Sequence, residues 1–414
     1  MIKLKLSIVP IKIVLLRLRK MPVKKLLNLF YINFFGLLIT FVILLVKPFK
    51  RIVLVQIRYT AIGQQATNTG LFLRRLQLEN RENKNKIFYI GIAGKPADNN
   101  QLIKMFQRKL FIIQNNFLTK ICGNGAFIIR WLGIFKNLEF NNNEYYEFNN
   151  TVPDLQFTSE EEECGKKLLR DMGIKDNSWF VCFHCRDSAY PKSYEEDWRN
   201  SDINYYLDAA EYITSCGGYA IRMGHMVAKK IPELNNPRII DYASKYRTDF
   251  GDIYLSAKCK FFLGSTAGLI GVPAIFNVPI ASANFIPFIT TWRNGDLFIP
   301  KKIWSVEENR FLTFKEFINF AKDVREGDTR LGVDIYTTKK LADGKFRVIE
   351  NTPQEILELT IEMNERINGT FTISEEDEEL QKQFHALIPP DHDYYGTPVR
   401  IGTKFLRDNR NLLS

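Results

Sequence analysis

The chain is short of familiar chemical signatures. Its 414 residues contain no Gly-x-x-x-x-Gly-Lys-Ser/Thr loop, no Gly-x-Gly-x-x-Gly turn, no Gly-x-Ser-x-Gly elbow and no His-Glu-x-x-His helix. Those absences remove the mononucleotide P-loop, the ordinary dinucleotide fingerprint, the hydrolase elbow and the zinc peptidase. The six cysteines, Cys122, Cys164, Cys182, Cys185, Cys216 and Cys259, lie scattered rather than paired at regular spacings, which suits a reducing compartment. Cys182 and Cys185 have a metal-like spacing. On a strand, however, residues three apart face opposite ways, and no second Cys/His pair follows, so both read as structural thiols and no metal site is expected.

Acidic residues are missing from one end only. Residues 1–51 carry 11 Lys/Arg and no Asp or Glu, which leaves 46 basic against 46 acidic residues in the remainder. The net charge of +11 is therefore local. A nucleic-acid partner is not expected, and a surface facing anionic lipid is. Leu26–Val46 runs 21 residues without a charge, long enough to cross a hydrocarbon core of about 30 Å. No small-residue cleavage site comes after it, which argues against a signal peptide. The flanking basic residues mark residues 1–50 as a membrane anchor, either spanning or lying in the plane of the surface. The first strand starts only about five residues later, which favours a body held tightly against the cytoplasmic face.

Beyond the anchor, strand and helix alternate. Ile52–Ile57 is a strand that leads through Gly63 and Gln64 to a helix opening at Leu71-Phe72-Leu73, after which a polar linker, 79–86, precedes the strand Ile87–Ile92. Residues 101–150 show apolar helical patterns and an Asn-rich loop near Asn141. Ser159 with Glu162 reads as a capping box and Gly173 as the stop of the same helix. Strands are expected at Trp179–His184, Tyr219–Met223, Ile239-Ile240 and Cys259–Leu263. A helix over Asp202–Ser215, capped by Ser201, fits between the first two. Thr352-Pro353-Gln354-Glu355 and Ser374 open two later helices. Alternation of this kind predicts a doubly wound α/β fold with parallel sheets. Four divisions are expected: an anchor (1–50), an N-terminal Rossmann-like domain on the acceptor side (51–155), a C-terminal Rossmann-like donor domain (156–300), and a helical extension packing back on the body (301–414).

In an open α/β sheet, ligands sit beyond the carboxyl ends of the strands. Three such ends carry chemistry here: His184, Arg186 and Asp187; Arg222 with Gly224; and Gly264-Ser265-Thr266. Arginines can grip a diphosphate by paired, charge-assisted bonds, and small residues at a helix start present backbone N–H groups to an anion. Asp241 and Asp252 lie near the same edge and could accept from ribose hydroxyls. Each has a plainer reading, as surface arginine, helix cap or hydrogen-bonded core histidine. Their coincidence at one edge makes a pocket for a nucleoside diphosphate the sharper expectation. Asp391-His392-Asp393 comes after two prolines rather than a strand and is expected to be a loop. Asn149-Asn150-Thr151 and Asn368-Gly369-Thr370 are sequons, but the scattered cysteines argue against secretion.

From Ile52 to Leu413 the chain resembles a family of bacterial glycosyltransferases associated with surface-polysaccharide synthesis. The resemblance rests on Phe183-His184-Cys185-Arg186-Asp187-Ser188-Ala189-Tyr190, Arg199-Asn200-Ser201-Asp202-Ile203 and Ile221-Arg222-Met223-Gly224. It also rests on Asp241-Tyr242, Phe262–Gly268, Asn351–Glu355 and Ile401-Gly402-x-x-Phe405-Leu406. More distantly, His184-x-Arg186 and Ser265-Thr266 are similar to the donor-binding motifs of inverting fucosyltransferases. The resemblance implies a GT-B-like pair of Rossmann-like domains, a nucleotide-sugar donor, and Arg186 on its diphosphate. With it, a glycan or lipid-linked glycan acceptor is expected, and the basic anchor of residues 1–50 sets the expected place at the cytoplasmic face of the inner membrane. Asp187 and His184 are the candidates for general base, and no cofactor or metal is called for. Two positions depart from the family: Gln64 stands where a histidine is usual, and Gly70 where a glutamate is. They keep two rivals open, a nucleotide-sugar epimerase of the same architecture and a non-catalytic, membrane-tethered binding protein.

Overall fold

Two all-parallel sheets are laid down by strands of similar composition, and each is wound outward in two directions from a central strand. The computed structural model describes residues 22–79, 87–123, 127–140, 144–189, 197–286, 291–322, 343–392 and 394–414. The basic stretch before Pro22, most of the 79–86 linker, Asn141, Tyr190–Lys192 and Asp393 fall outside them. The chain divides into two compact units, one made of residues 1–57, 80–97 and 110–138 and the other of 58–79, 98–109 and 139–414. The long helix Ile62–Leu78 comes directly after the first strand in the chain, yet it belongs to the second unit.

The first unit holds a four-stranded sheet: β1 (Arg51–Gln56), β2 (Ile87–Ala93), β3 (Phe111–Gln114) and β4 (Phe135–Asn137), in the order β3-β2-β1-β4. The run Ile52-Val53-Leu54-Val55 has no polar break, as a strand buried on both faces requires. The helix Val23–Val46 lies against this unit. Its Ile32, Gly36, Thr40 and Ile43 are buried at spacings of four, four and three. Ile32 and Ile43 share a core with Leu54, Ile92, Ile121 and Phe135, and Phe35 packs edge-on against Phe117 at 5.0 Å.

The second unit is built on a seven-stranded sheet in the order β14-β10-β9-β8-β5-β6-β7. Its strands are β5 (Phe180–His184), β6 (Tyr219–Arg222), β7 (Ile239–Asp241), β8 (Phe262–Gly264), β9 (Ile280–Phe285), β10 (Leu297–Pro300) and β14 (Arg400–Ile401). The chain runs outward from β5 through β6 to β7, then returns to the other side of β5 and runs outward again through β8, β9 and β10. The winding reverses between β5 and β8, where His184 stands level with Gly264. A crevice opens at such a reversal because the connections on either side leave in opposite directions.

Helix boundaries correct several expectations. Thr158, not Ser159, caps the helix Ser159–Asp171, and its box partner is Glu161, not Glu162. Glu161 is fixed in that role by Arg108 and Gln101, and these charged hydrogen bonds hold its carboxyl down to about 2 against the opposing effect of burial. After Ser201 the chain makes a 3-10 turn, Ile203–Tyr206, capped by Asp202, before the helix Leu207–Ser215. The largest shift concerns Gly63 and Gln64. Both lie inside the helix, which begins at Ile62 rather than near Leu71. Its cap, Ala61, has no side chain to offer, and the Asp98 carboxylate instead accepts from the Ile62 N–H at 2.6 Å.

Residues 301–414, expected as helical, do contain the helices Phe314–Lys322, Pro353–Asn368, Glu375–Ala386 and Thr403–Asp408. They also form a three-stranded antiparallel sheet of β11 (Lys302–Ser305), β12 (Arg310–Phe311) and β13 (Phe346–Ile349). The tail returns to the large sheet through β14, whose Ile401 pairs with Phe298 of β10.

Candidate functional site

The carboxyl edge of the seven-stranded sheet gathers the predicted residues by backbone bonds between loops. Ser265 N–H donates to the His184 carbonyl at 3.2 Å, and the Arg186 N–H donates to the Ser265 hydroxyl at 3.1 Å. Met223 N–H donates to the Phe183 carbonyl at 2.8 Å. The Met223 carbonyl in turn meets His184 Nδ1 at 3.0 Å. A carbonyl can only accept, so Nδ1 carries the proton and the neutral ring keeps its lone pair on Nε2. Burial drives the pKa of His184 down to about 4, and the ring is neutral at pH 7. Gly224 packs beside it with φ +152, where a Cβ would meet Val227 at 2.8 Å. Few side chains tolerate that backbone, so glycine is required here.

Three loops, 184–189, 223–225 and 264–268, are thus tied together at the switch point. A fourth element joins them. A Cβ on Gly63 would stand 2.7 Å from the Gly268 Cα, so the start of the helix Ile62–Leu78 touches the β8 loop backbone to backbone. Arg74 locks this arrangement from the far end of the same helix. It is buried and donates to the Ile275 carbonyl and to Asn277 Oδ1.

Other predicted residues do structural work. Arg222 is buried to 2% exposure; its guanidinium pairs with Asp241 at 3.1 Å and donates to the Lys229 carbonyl. Those bonds follow from register, which places Arg222 beside Asp241 on neighbouring strands. Asp241 also accepts from Ser244. Asp252 accepts from Tyr242 and Arg247, and burial raises it to about 6. Both aspartates are buried. Asp187 spends one carboxylate oxygen on the Ala189 N–H and the other on the Ala228 N–H, which makes it a brace between loops. Thr266 Oγ1 accepts from the Ile286 N–H, and beyond it come a 3-10 turn, Gly268–Ile270, and a helix of only five residues, Gly271–Ile275. Gln64 stands half-buried in the first turn of its helix. The Cys182 and Cys185 thiols donate to the carbonyls of Leu255 and Ser201, and no metal-holding cluster exists among the described residues.

Two side chains were not singled out as chemistry from the sequence. Arg199 donates to the Thr266 carbonyl at 3.1 Å, which brings a guanidinium to the β8 loop. Asp98 is half-buried, and burial is the largest influence raising its pKa. One of its oxygens caps Ile62, and His225 lies close enough to favour its charged form. The signal for Asp98 was weak: an Asp followed by Asn-Asn just after Lys95-Pro96 looks like an ordinary turn.

No family model matches the chain, and no curated protein matches it either. Several solved structures do match in general course. A glycosyl transferase of family 9 from Veillonella parvula superposes at a TM-score of 0.43 with 9% identity, over 76% of this chain and 97% of that one. The E. coli ADP-heptose lipopolysaccharide heptosyltransferase II gives 0.35 and 12%, over 60% and 90%. A dodecameric iron-containing glycosyltransferase of enterotoxigenic E. coli gives 0.32 and 13%, over 58% and 61%. These are likenesses of general course alone, and the chemistry of the site has to come from this chain's own residues.

Proposed function

We propose that the chain is a glycosyltransferase of the GT-B kind, which moves a sugar from a nucleoside-diphosphate donor to a lipid-linked or polysaccharide acceptor. The observation that carries this reading is the reversal of winding between β5 and β8, where the His184–Asp187 loop is bonded to the Gly264–Thr266 loop and where α/β folds place their ligands. The sequence resemblance supplies the donor class. The membrane part of the reading, residues 1–50 at the cytoplasmic face of the inner membrane, rests on their charge and hydropathy.

In the transfer, an acceptor oxygen bonds to the anomeric carbon while the bond from that carbon to the diphosphate oxygen breaks. The diphosphate leaves with the electron pair, and the acceptor proton passes to a base. Arg186 and Arg199, both on the connection from β5 to β6, offset the charge that grows on the leaving group, so the reading needs no divalent cation. Asp187 is a poor base because both its oxygens are held by backbone N–H groups. Asp98 and the Nε2 of neutral His184 are better placed by chemistry. A carboxylate with a raised pKa takes a proton more readily, and Asp98 caps the helix whose Gly63 rests on the β8 loop.

A thermal-shift panel of nucleoside diphosphates and their sugars, run with and without a chelator, tests the reading first. One base should raise the melting temperature by several degrees irrespective of chelator. With the matching donor and a glycan acceptor, Arg186→Ala should cut turnover at least a hundredfold. Unchanged turnover in that variant defeats the mechanism. An altered sugar nucleotide formed from donor alone would make the protein an epimerase, and tight binding without turnover a binding protein.

A further inference from the structure

The charge asymmetry of the sequence tracks the folded units more closely than it tracks the chain. The first unit contains 18 Lys/Arg and a single Asp/Glu, Glu82, a net of +17; the second contains 39 and 45, a net of −6. No acidic residue at all occurs among the described residues of the first unit. On this basic unit lies a helix that is apolar on both sides. The stripe Ile32, Gly36, Thr40 and Ile43 is buried in the protein. The opposite stripe, including Phe30, Phe34, Leu37, Phe41 and Leu45, is exposed. An amphipathic helix on a water-facing protein carries polar residues there, and an apolar surface of this extent marks a contact. The short helix Phe127–Trp131 packs beside it and adds an exposed Trp131, a residue type favoured at the boundary between lipid and water.

We infer that this face of the first unit seats on an anionic lipid bilayer, with the helix Val23–Val46 lying in the plane of the surface and not crossing it. The helix is long enough to cross, at 24 residues. Crossing is opposed by its partners. From Ile32 to Ile43, about 17 Å of helix at 1.5 Å per residue, one side is in contact with the protein core. Carrying that length through the hydrocarbon would take the adjoining sheet with it, together with Lys120, Arg130 and the open sheet edges, which lipid cannot satisfy. In-plane seating keeps the sheet in water, buries the exposed stripe, and sets Lys24, Lys25, Lys47, Lys50 and Arg51 at the headgroups. This inference deepens the membrane part of the proposed function and is independent of the sugar chemistry.

The test uses the full chain with Cys164 and Cys216, the exposed thiols, changed to Ser. Lys24→Cys and Lys50→Cys are introduced singly, the protein is made in a bacterial host, and inverted membrane vesicles are treated with a membrane-impermeant maleimide. Labelling at both ends of the helix is expected. Labelling at one end only marks a span, and labelling at neither marks burial; either overturns the inference. In parallel, purified protein is sedimented with vesicles of phosphatidylglycerol and phosphatidylcholine or of phosphatidylcholine alone. Binding should be at least tenfold stronger to the anionic vesicles, and Leu37→Gln with Phe41→Gln should weaken it at least tenfold at an unchanged melting temperature. A protein that stays in the supernatant as a dimer with either vesicle would show the face covered by a second copy, and would also overturn the inference. Neither assay uses a sugar donor, so failure of the transferase reading would leave both results standing.

Discussion

The two sheets share a construction and differ in what their surfaces can do. Both are parallel, and both reverse their winding beside a central strand, at β1 in one and β5 in the other. At the carboxyl end of β5 stand a neutral histidine, Arg186, and Asp187, whose carboxylate braces two loops through the Ala189 and Ala228 N–H groups. At the end of β1 stands Gln56, packed against Gly123, with no ionisable side chain in that contact. The first unit spends its charge on its outside, where Lys and Arg flank an open apolar helix. The second also buries some of its charges: Arg74, Arg222, Asp241 and Asp252 are all buried and partnered. Parallel winding alone therefore does not make a site. The second unit differs because charged groups at its strand ends hold the loops at fixed spacing.

The strongest way to break this contrast is to remove a buried partner. Arg222→Ala leaves Asp241 buried with Ser244 alone, and losing one member of such a pair typically costs about 3–5 kcal/mol. Denaturant unfolding should show that loss. A change below about 1 kcal/mol would mean that Arg222 is accessible and free to serve the diphosphate after all. The double change Arg222→Met with Asp241→Leu should recover most of the stability, since an apolar pair of similar volume leaves no buried charge.

A second test concerns His184. Its folded pKa of about 4 lies below the ordinary value of 6.5. Between those values the unfolded chain binds the extra proton, so stability falls as pH falls from about 6.5 to about 4. The loss approaches about 3 kcal/mol at the acid end. His184→Asn should remove this slope while the wild type shows it; equal slopes would place the ring in water and remove it from the crevice.

The sequence showed the architecture wherever a strand is buried on both faces, because such runs as Ile52–Val55 and Phe180–Phe183 have no polar break. It placed His184, Arg186, Asp187 and Gly264-Ser265-Thr266 at the carboxyl ends of strands, as the structure does. It could not show which of those side chains are already engaged. Arg222 and Asp241 are 19 residues apart in the chain, and only the pairing of β6 with β7 sets them side by side. Asp187 reads as a base until the Ala228 N–H, 41 residues away, is seen to hold it. The start of the helix Ile62–Leu78 was missed for the same reason, since its cap comes from Asp98, 36 residues on. The apolar run 26–46 was legible as one long helix by length and hydropathy. The stripe that packs on the sheet was not, because both faces have the same composition.

Two smaller effects sharpen the comparison. Gly63→Ala places a Cβ 2.7 Å from the Gly268 backbone. The overpacking costs about 1–3 kcal/mol against a helix-propensity gain of up to about 1, so a net loss of about 1–2 kcal/mol is expected, with weakened donor binding in the same variant. On the first unit the outcome should differ. Leu37→Gln changes an exposed side chain on a helix whose packed stripe is untouched, and surface changes of this kind shift stability by no more than about 0.5 kcal/mol. Melting in mild detergent should therefore be unchanged while vesicle binding weakens. A loss above about 1 kcal/mol would show that Leu37 is covered by protein in solution, and the contrast between an open apolar face and a closed charged crevice would fail at that point.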